Sequence, residues 1–158
     1  MIGHMNLEVQ VDVDFSRARR KAALRRLATR LRRDPTSGRV LCFEEVRRKL
    51  RAVGGLRMGP SAIRLSNIVG SVGRSSEFDR DFMPTKSSTE ERWKHIDRAF
   101  HRGEELPPVN LYKVEGLYFV LDGHHRVSVA RYHGVEWIDA EVTEFRALLP
   151  KKRRAQVA

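Results

Sequence analysis

The chain has 158 residues, 41% of them hydrophobic and 32% charged, which is the length of one ordinary domain and apolar enough to form a core. No stretch approaches the roughly 20 apolar residues of a membrane-spanning helix, and the first residues lack the pattern of a secretory signal. The single cysteine, Cys42, permits no internal disulfide, which is typical of a reducing compartment. We therefore expect a cytoplasmic protein that does not enter a membrane, and we interpret residues 1–5 as a cloning remnant.

Positive charge is concentrated towards the two ends of the chain. The formal net charge is +11, yet residues 65–150 hold 11 basic and 14 acidic residues. Residues 15–64 hold 16 Lys and Arg against three acidic residues, and the tail 148–158 is basic again. Such a distribution favours a polyanionic partner, namely DNA, RNA or an anionic membrane surface. The alternative is a basic surface that only keeps the protein soluble.

A first helix is predicted over residues 16–33, with Ser16 as its N-cap. Leu24, Leu27 and Leu31 recur at helical spacing and indicate an apolar stripe. Like charges on the opposite stripe repel one another unless a partner neutralises them, so we interpret them as contacts to a nucleic-acid backbone, with DNA the expected partner. The residues of this basic stripe are Arg19, Arg26, Arg30 and Arg33.

A second helix is predicted over residues 43–52. Pro35 and Gly38 break the chain before it, and Gly54 with Gly55 is expected to end it. We therefore expect residues 15–55 to form a basic antiparallel helical hairpin whose apolar stripes cover each other or the rest of the protein.

The remaining elements alternate between strands and helices. The order predicts an α+β domain over residues 62–147, with a strand and a Gly/Ser-rich loop before a third helix, and a β-hairpin before a fourth. The predicted elements are a strand at 62–68, a loop at 70–76, a helix that begins after Ser88 and stops at Gly103, strands at 109–114 and 117–121, a helix at 124–133 and a strand at 137–145.

The junction between the strand at 117–121 and the following helix carries the chemistry. A helix start offers free backbone N–H groups and the positive end of the helix dipole. Gly123 permits close approach of a ligand, and Arg126 can bind a phosphate with two parallel hydrogen bonds. His124 and His125 add donors that titrate near neutral pH. Asp122 is left with three open roles: a helix cap, a partner that orients a histidine, or a metal ligand.

These residues resemble the ParB/sulfiredoxin superfamily. The resemblance lies in Pro-Pro-Val at 107–109, in the run 118–130 that contains Asp-Gly-His-His-Arg, and in residues 68–74 followed by Phe-Asp at 78–79. It covers roughly residues 63–145. The resemblance implies a small mixed sheet with helices that binds nucleotide phosphates at the glycine-led motif.

The details of the motif narrow what the resemblance implies. ParB proteins have Gly-Glu-Arg-Arg where this chain keeps Gly123 and Arg126 but has His124 and His125 between them, which weakens the case for a ParB clamp. His124 stands where sulfiredoxins have their reactive cysteine, which argues against reduction of sulfinic acids. The Asp-Gly-His-x-Arg form is most similar to the free-serine kinases, and some relatives are described as ParB-like nucleases. The implied ligand is a nucleoside triphosphate, ATP or CTP, with Mg²⁺.

A set of candidate site residues follows from the junction and the resemblance. The candidate catalytic carboxylates are Asp122 and Glu77, with Asp79 and Asp81 left open as further bases. No protein-only metal site is expected, because adjacent histidines on a helix point about 100° apart. The candidate phosphate-binding residues are Gly123, His124, His125, Arg126, Arg74 and Ser71. The sequence thus predicts a ParB-like phosphate-binding protein that associates with DNA, or alternatively a small phosphotransferase, NTPase or nuclease.

Overall fold

The structure is a computed structural model that describes residues 6–32 and 38–148. The cloning remnant, Arg33 of the basic stripe and the tail from residue 149 onward lie outside the described residues. Four helices are described, α1 (Leu7–Leu31), α2 (Phe43–Leu50), α3 (Glu90–His101) and α4 (His124–Tyr132). Six strands are described, β1 (Leu41–Cys42), β2 (Val53–Arg64), β3 (Ile68–Ser71), β4 (Val109–Val114), β5 (Leu117–Asp122) and β6 (Trp137–Arg146).

The six strands form one mixed sheet in the order β1-β3-β5-β4-β6-β2. β5 pairs in parallel with β3 and antiparallel with β4, so it lies in the interior of the sheet. Glu115 and Gly116 both take positive φ in the two-residue turn between β4 and β5, which suits a tight hairpin. The α+β class expected from the sequence is confirmed.

Both faces of the sheet are covered at its central strands, and in β5 successive side chains contribute to the cores on the two faces. Tyr118 and Val120 point towards the core beneath α4, whereas Phe119 points towards α2 on the other face. A run of apolar residues without alternation is what such a doubly covered strand requires. The centre of β5 therefore anchors the junction rigidly from both sides.

An outer layer of helices covers α4. Phe15 and Ala18 of α1 pack against Trp93 of α3 and Val129 of α4. The indole N–H of Trp93 donates to the hydroxyl of Ser128 across 2.8 Å, which satisfies two buried polar groups. These contacts fix α3 beside the start of α4, where the candidate site lies.

The prediction of an antiparallel helical hairpin over residues 15–55 is wrong. α2 packs through Phe43 and Val46 on the face of the sheet opposite to α4, while α1 packs on α3 and α4. α1 is also longer than expected, because Asn6 rather than Ser16 caps it by accepting the N–H of Glu8. The leucine stripe expected to be covered is exposed, at 58% for Leu24, 55% for Leu27 and 78% for Leu31.

The first long strand begins earlier than the sequence suggested. α2 ends when Arg51 adopts a left-handed conformation, and Gly54 and Gly55 lie inside β2 rather than after a helix. β2 pairs along its length with β6 and ends at Arg64, after which residues 65–67 form a 3₁₀ turn. The expected strand at 62–68 therefore merges parts of two strands. Over the described residues, no helix has the length and apolar character to cross a membrane.

Candidate phosphate-binding site

Gly123 makes the turn from β5 into α4, and no other residue fits there. Its φ is +100°, which L side chains rarely adopt. A Cβ at this position would lie 2.6 Å from Cγ1 of Val109 and 3.1 Å from Cζ of Arg126. The residue before α4 supplies no side-chain cap, so the first backbone N–H groups of the helix are not satisfied by capping. We refer to residues 122–126 as the junction.

A hydrogen bond to Ser71 holds the imidazole of His124 in place. The imidazole is 4% exposed, and its Nε2 lies 2.6 Å from the Ser71 hydroxyl oxygen. That hydroxyl has one proton, which it donates to the carbonyl of Gly73 across 2.7 Å. Nε2 of His124 must therefore be the donor, which leaves Nδ1 as the unprotonated nitrogen of a neutral ring. Ser71 thus positions His124 and has no hydroxyl proton left for a phosphate.

His125 is partly buried but incompletely hydrogen-bonded. Among the described residues, its buried Nδ1 has no hydrogen-bond partner. The ring of Phe78 meets His125 edge-on at 5.4 Å between centroids and is stacked on His124 at 6.0 Å. A buried polar nitrogen without a partner is costly unless a ligand or water satisfies it.

Both histidines are neutral at pH 7. Burial, and then the positive charge of Arg74, lower the pKa of His124 to about 4. The same two causes lower the pKa of His125 to about 4, with Arg92 as a further contributor. The expected titration near neutral pH is therefore wrong for the free protein. The same positive field that disfavours a second proton favours a bound anion.

The guanidinium of Arg126 is already hydrogen-bonded within the protein and is not available to a phosphate. Its Nη1 donates to the carbonyls of Pro107 and Pro108, the latter at 2.8 Å, and its Nη2 donates to Asp122 at 2.8 Å. Its side chain is only 14% exposed. The expected two-pronged phosphate contact by Arg126 is not formed, because the guanidinium instead ties the segment before β4 to the junction. Asp122 does not cap the helix, and most of its side chain is exposed.

A cavity of about 420 Å³ opens over the junction. Arg74 reaches it from the loop after β3, and Arg92 and His95 reach it from α3. Over residues 6–32 and 38–148, neither Arg74 nor Arg92 has a carboxylate within ion-pair distance. We call this space the junction cavity, and its lining residues are Arg74, Glu91, Arg92, His95, Ile96, Asp122, Gly123, His124, His125 and Arg126.

Comparison with known proteins gives one likeness of fold. No family model matches the chain, and no curated protein matches it. Among solved structures, the chain is similar to sulfiredoxin from Arabidopsis thaliana. The identity is 17% and the TM-score 0.42, over 55% of this chain and 86% of the sulfiredoxin chain. A likeness at this level carries no inference about activity or substrate.

The expected catalytic carboxylates divide between the cavity and the protein interior. Asp122 lines the junction cavity, whereas Glu77 lines neither that cavity nor the larger one beside α1. Asp79 is 5% exposed and pairs with Arg25, and it accepts the backbone N–H of Met83 across 3.0 Å. Burial raises the pKa of Asp79 despite these contacts. Asp79 is therefore a structural group that fastens α1 to the loop after β3.

A second and larger cavity, of about 950 Å³, lies between α1 and residues 75–86. Arg19, Arg26 and Arg30 of the expected basic stripe line it, together with the loop residues Ser75 and Ser76. We call it the α1 groove. Its other charged lining residues are Arg20, Arg39, Lys86 and the paired Asp79. Consecutive residues line the two cavities, since Arg74 lines the junction cavity and Ser75 lines the α1 groove.

Arg92 and His95 are the site residues that the sequence reasoning missed. They lie three residues apart, so they share one face of α3, and both are exposed. Their spacing alone gave no reason to prefer them, since many exposed helical faces carry such pairs. Only the packing of α3 beside α4 brings them to the junction.

Proposed function

We propose that this protein binds the phosphates of a nucleoside triphosphate in the junction cavity. The observation that carries the proposal is that two guanidinium groups, from Arg74 and Arg92, border the uncapped start of α4 and have no ion pair with any residue that the structure describes. A helix N-terminus beside free guanidinium groups is a favourable environment for a phosphate. A volume of about 420 Å³ lies within the range that small-molecule sites occupy.

The histidines complete the phosphate site in this proposal. His124, fixed by Ser71, forms its floor, and His125 lines the cavity beside it with its Nδ1 buried. Gly123 allows the ligand to approach the backbone. Arg126 holds the wall of the cavity through Pro107 and Pro108 and does not itself grip the phosphate.

We further propose that the α1 groove binds the backbone of DNA. Several Lys and Arg side chains line it, including Arg19, Arg26 and Arg30, with one buried and paired carboxylate among them. Side chains of this kind contact phosphate oxygens and supply affinity without reading sequence. Together the two cavities support a ParB-like protein that couples a nucleotide to nucleic acid.

An enzymatic version of the same site is the second candidate. Asp122 and Glu91 are exposed carboxylates on the rim of the junction cavity. Mg²⁺ carried by the nucleotide phosphates would find oxygen ligands there, and Asp122 would then act as the general base of a phosphotransferase or NTPase.

Calorimetric titration with ATP, CTP, GTP and inorganic tripolyphosphate, each with Mg²⁺, tests the binding proposal. We expect tripolyphosphate to retain most of the affinity of the nucleotides, because the described contacts address phosphate. Absence of heat with every member of the panel would contradict the proposal. Turnover of labelled ATP or CTP no faster than in Asp122→Asn would remove the enzymatic candidate alone.

A further inference from the structure

Two carboxylates and two imidazoles converge at the interface of α1, α3 and α4, away from both cavities. Asp14 belongs to α1, Asp97 and His101 to α3, and His133 directly follows α4. One ligand atom from each lies within 4.8 Å of every other. Nε2 of His133 is 2.6 Å from Asp97, and Nε2 of His101 is 2.8 Å from Asp14 and 3.6 Å from Asp97.

Hydrogen bonding within the cluster leaves one buried oxygen without a partner. Asp97 is completely buried, and Oδ1 takes the contact from His133. Its Oδ2 has no hydrogen-bond partner anywhere in the described part of the chain. An uncompensated carboxylate oxygen in the interior is expensive, and a cation is the ligand that relieves it. This oxygen faces His101, so it points into the cluster.

We propose that these four residues bind one zinc ion. Imidazole nitrogens and carboxylate oxygens are both zinc ligands, and four of them complete a tetrahedral shell with no open position. Ligand atoms about 2.0–2.2 Å from a central zinc lie about 3.3–3.6 Å apart. The His101–Asp97 pair is already at 3.6 Å, whereas the pairs at 2.6 and 2.8 Å must each open by about 1 Å or less to admit the ion. Mg²⁺ prefers six oxygen ligands, so the two imidazoles select against it.

The surroundings of the cluster resemble the support that metal ligands receive in proteins. Tyr132 and Gln10 donate to Oδ1 of Asp14 across 3.0 and 2.9 Å, which orients its other oxygen towards His101. The ring of Phe100 stacks on His133 at 4.1 Å. The side chain of His101 remains 26% exposed, which gives the ion a path from solvent. The ion would tie α1 to the two helices that border the junction.

Zinc titration of the full chain, free of any affinity tag and treated with a chelator, tests the proposal. We expect one equivalent of Zn²⁺ to bind, and we expect Co²⁺ in its place to give the intense visible absorption of a four-coordinate site. At a free zinc concentration 100 times the Kd, the Tm should rise by about 5 °C or more. Mg²⁺ should produce neither effect.

Matched variants locate the ion. Asp97→Asn and His101→Gln should each weaken zinc binding at least tenfold and lose the Co²⁺ absorption. His95→Gln on the same helix and the exposed Asp139→Asn should leave both unchanged. If Asp97→Asn does not fold, His101→Gln alone tests the proposal, since the side chain of His101 is partly exposed. Absence of zinc binding by the unmodified chain would overturn the proposal, and so would binding that survives His101→Gln.

Discussion

Nε2 of His124 donates a hydrogen bond to the hydroxyl of Ser71 across 2.6 Å, and this bond joins the end of β3 to the start of α4. The end of β3 is thereby fastened to the helix that the phosphate would face. A fixed helix start costs a ligand less ordering entropy than a mobile one. The junction is therefore preorganised for a ligand.

Ser71→Ala should lower the free energy of unfolding by about 1–3 kcal/mol, because it leaves the buried N–H of His124 without an acceptor. Urea denaturation measures the change. Ser76→Ala is the control, since its exposed hydroxyl should contribute less than about 0.5 kcal/mol. Equal stability of the two variants would show that the bond to His124 does not form.

Arg126 and Arg92 should respond in opposite ways to substitution. Arg126→Ala removes the contacts to Pro107 and Pro108 and should lower stability by about 1–3 kcal/mol, with a smaller effect on nucleotide affinity. Arg92→Ala should lower affinity and leave stability nearly unchanged, because Arg92 is exposed and has no ion pair within the described ranges. Denaturation and calorimetry on both variants separate the roles. A large loss of affinity in Arg126→Ala with none in Arg92→Ala would instead identify Arg126 as the phosphate ligand, as the sequence suggested.

Stability should fall on acidification from about pH 6.5 to pH 4. The folded pKa of His124 and of His125 is about 4, below the ordinary 6.5, so the unfolded chain binds more protons in this window. The stabilisation is complete above pH 6.5 and is lost as pH falls towards 4. For the buried His124 the difference corresponds to on the order of 3 kcal/mol.

Unfolding curves across this pH range, with the imidazole protons followed by NMR, provide the measurement. His125→Gln should flatten the pH dependence. Nucleotide should raise the midpoint of His125, because a bound phosphate favours the charged ring. A midpoint near 6.5 in the free protein would contradict the buried, electropositive junction.

Charge reversal in the α1 groove should weaken DNA binding more than the same change elsewhere. Arg19→Glu with Arg26→Glu and Arg30→Glu removes three phosphate contacts and should reduce the dependence of log K on log salt by about 3. The control carries equal charge change on the other side of the sheet, at Arg48, Lys49 and Arg57. Mobility shifts at rising salt measure both variants. Equal losses would mean that only net charge matters.

Local pattern predicted the half of the fold that contains the junction. The tight turn at Gly116, the glycine before α4 and the apolar run of β5 are short-range signals, and each confirmed element follows from them. The packing of α1 was not predictable in this way. Its leucine stripe has a clear helical period, yet the buried face of α1 consists of Val11, Asp14, Phe15, Ala18 and Ala22, with Phe15 against Trp93.

The strand-to-helix turn was predicted correctly, but the contacts around it were not. The sequence placed Gly123 and His124 at a strand-to-helix turn, which the structure also does. It could not foresee that Arg126 reaches the carbonyls of Pro107 and Pro108, since those contacts depend on how the segment before β4 approaches the junction. The pKa of a histidine likewise depends on burial and on charges that are distant in the chain.

The most direct test of the phosphate site is calorimetric titration of ATP into the variant with Arg74→Ala and Arg92→Ala. Within the described part of the chain these two side chains line the junction cavity without an ion pair, and each charge-assisted contact to a phosphate contributes about 1.5–3 kcal/mol. The double variant should therefore bind at least roughly a hundredfold more weakly than the unmodified protein, while Arg57→Ala with Arg48→Ala should bind normally. Unchanged affinity in the double variant would contradict the account.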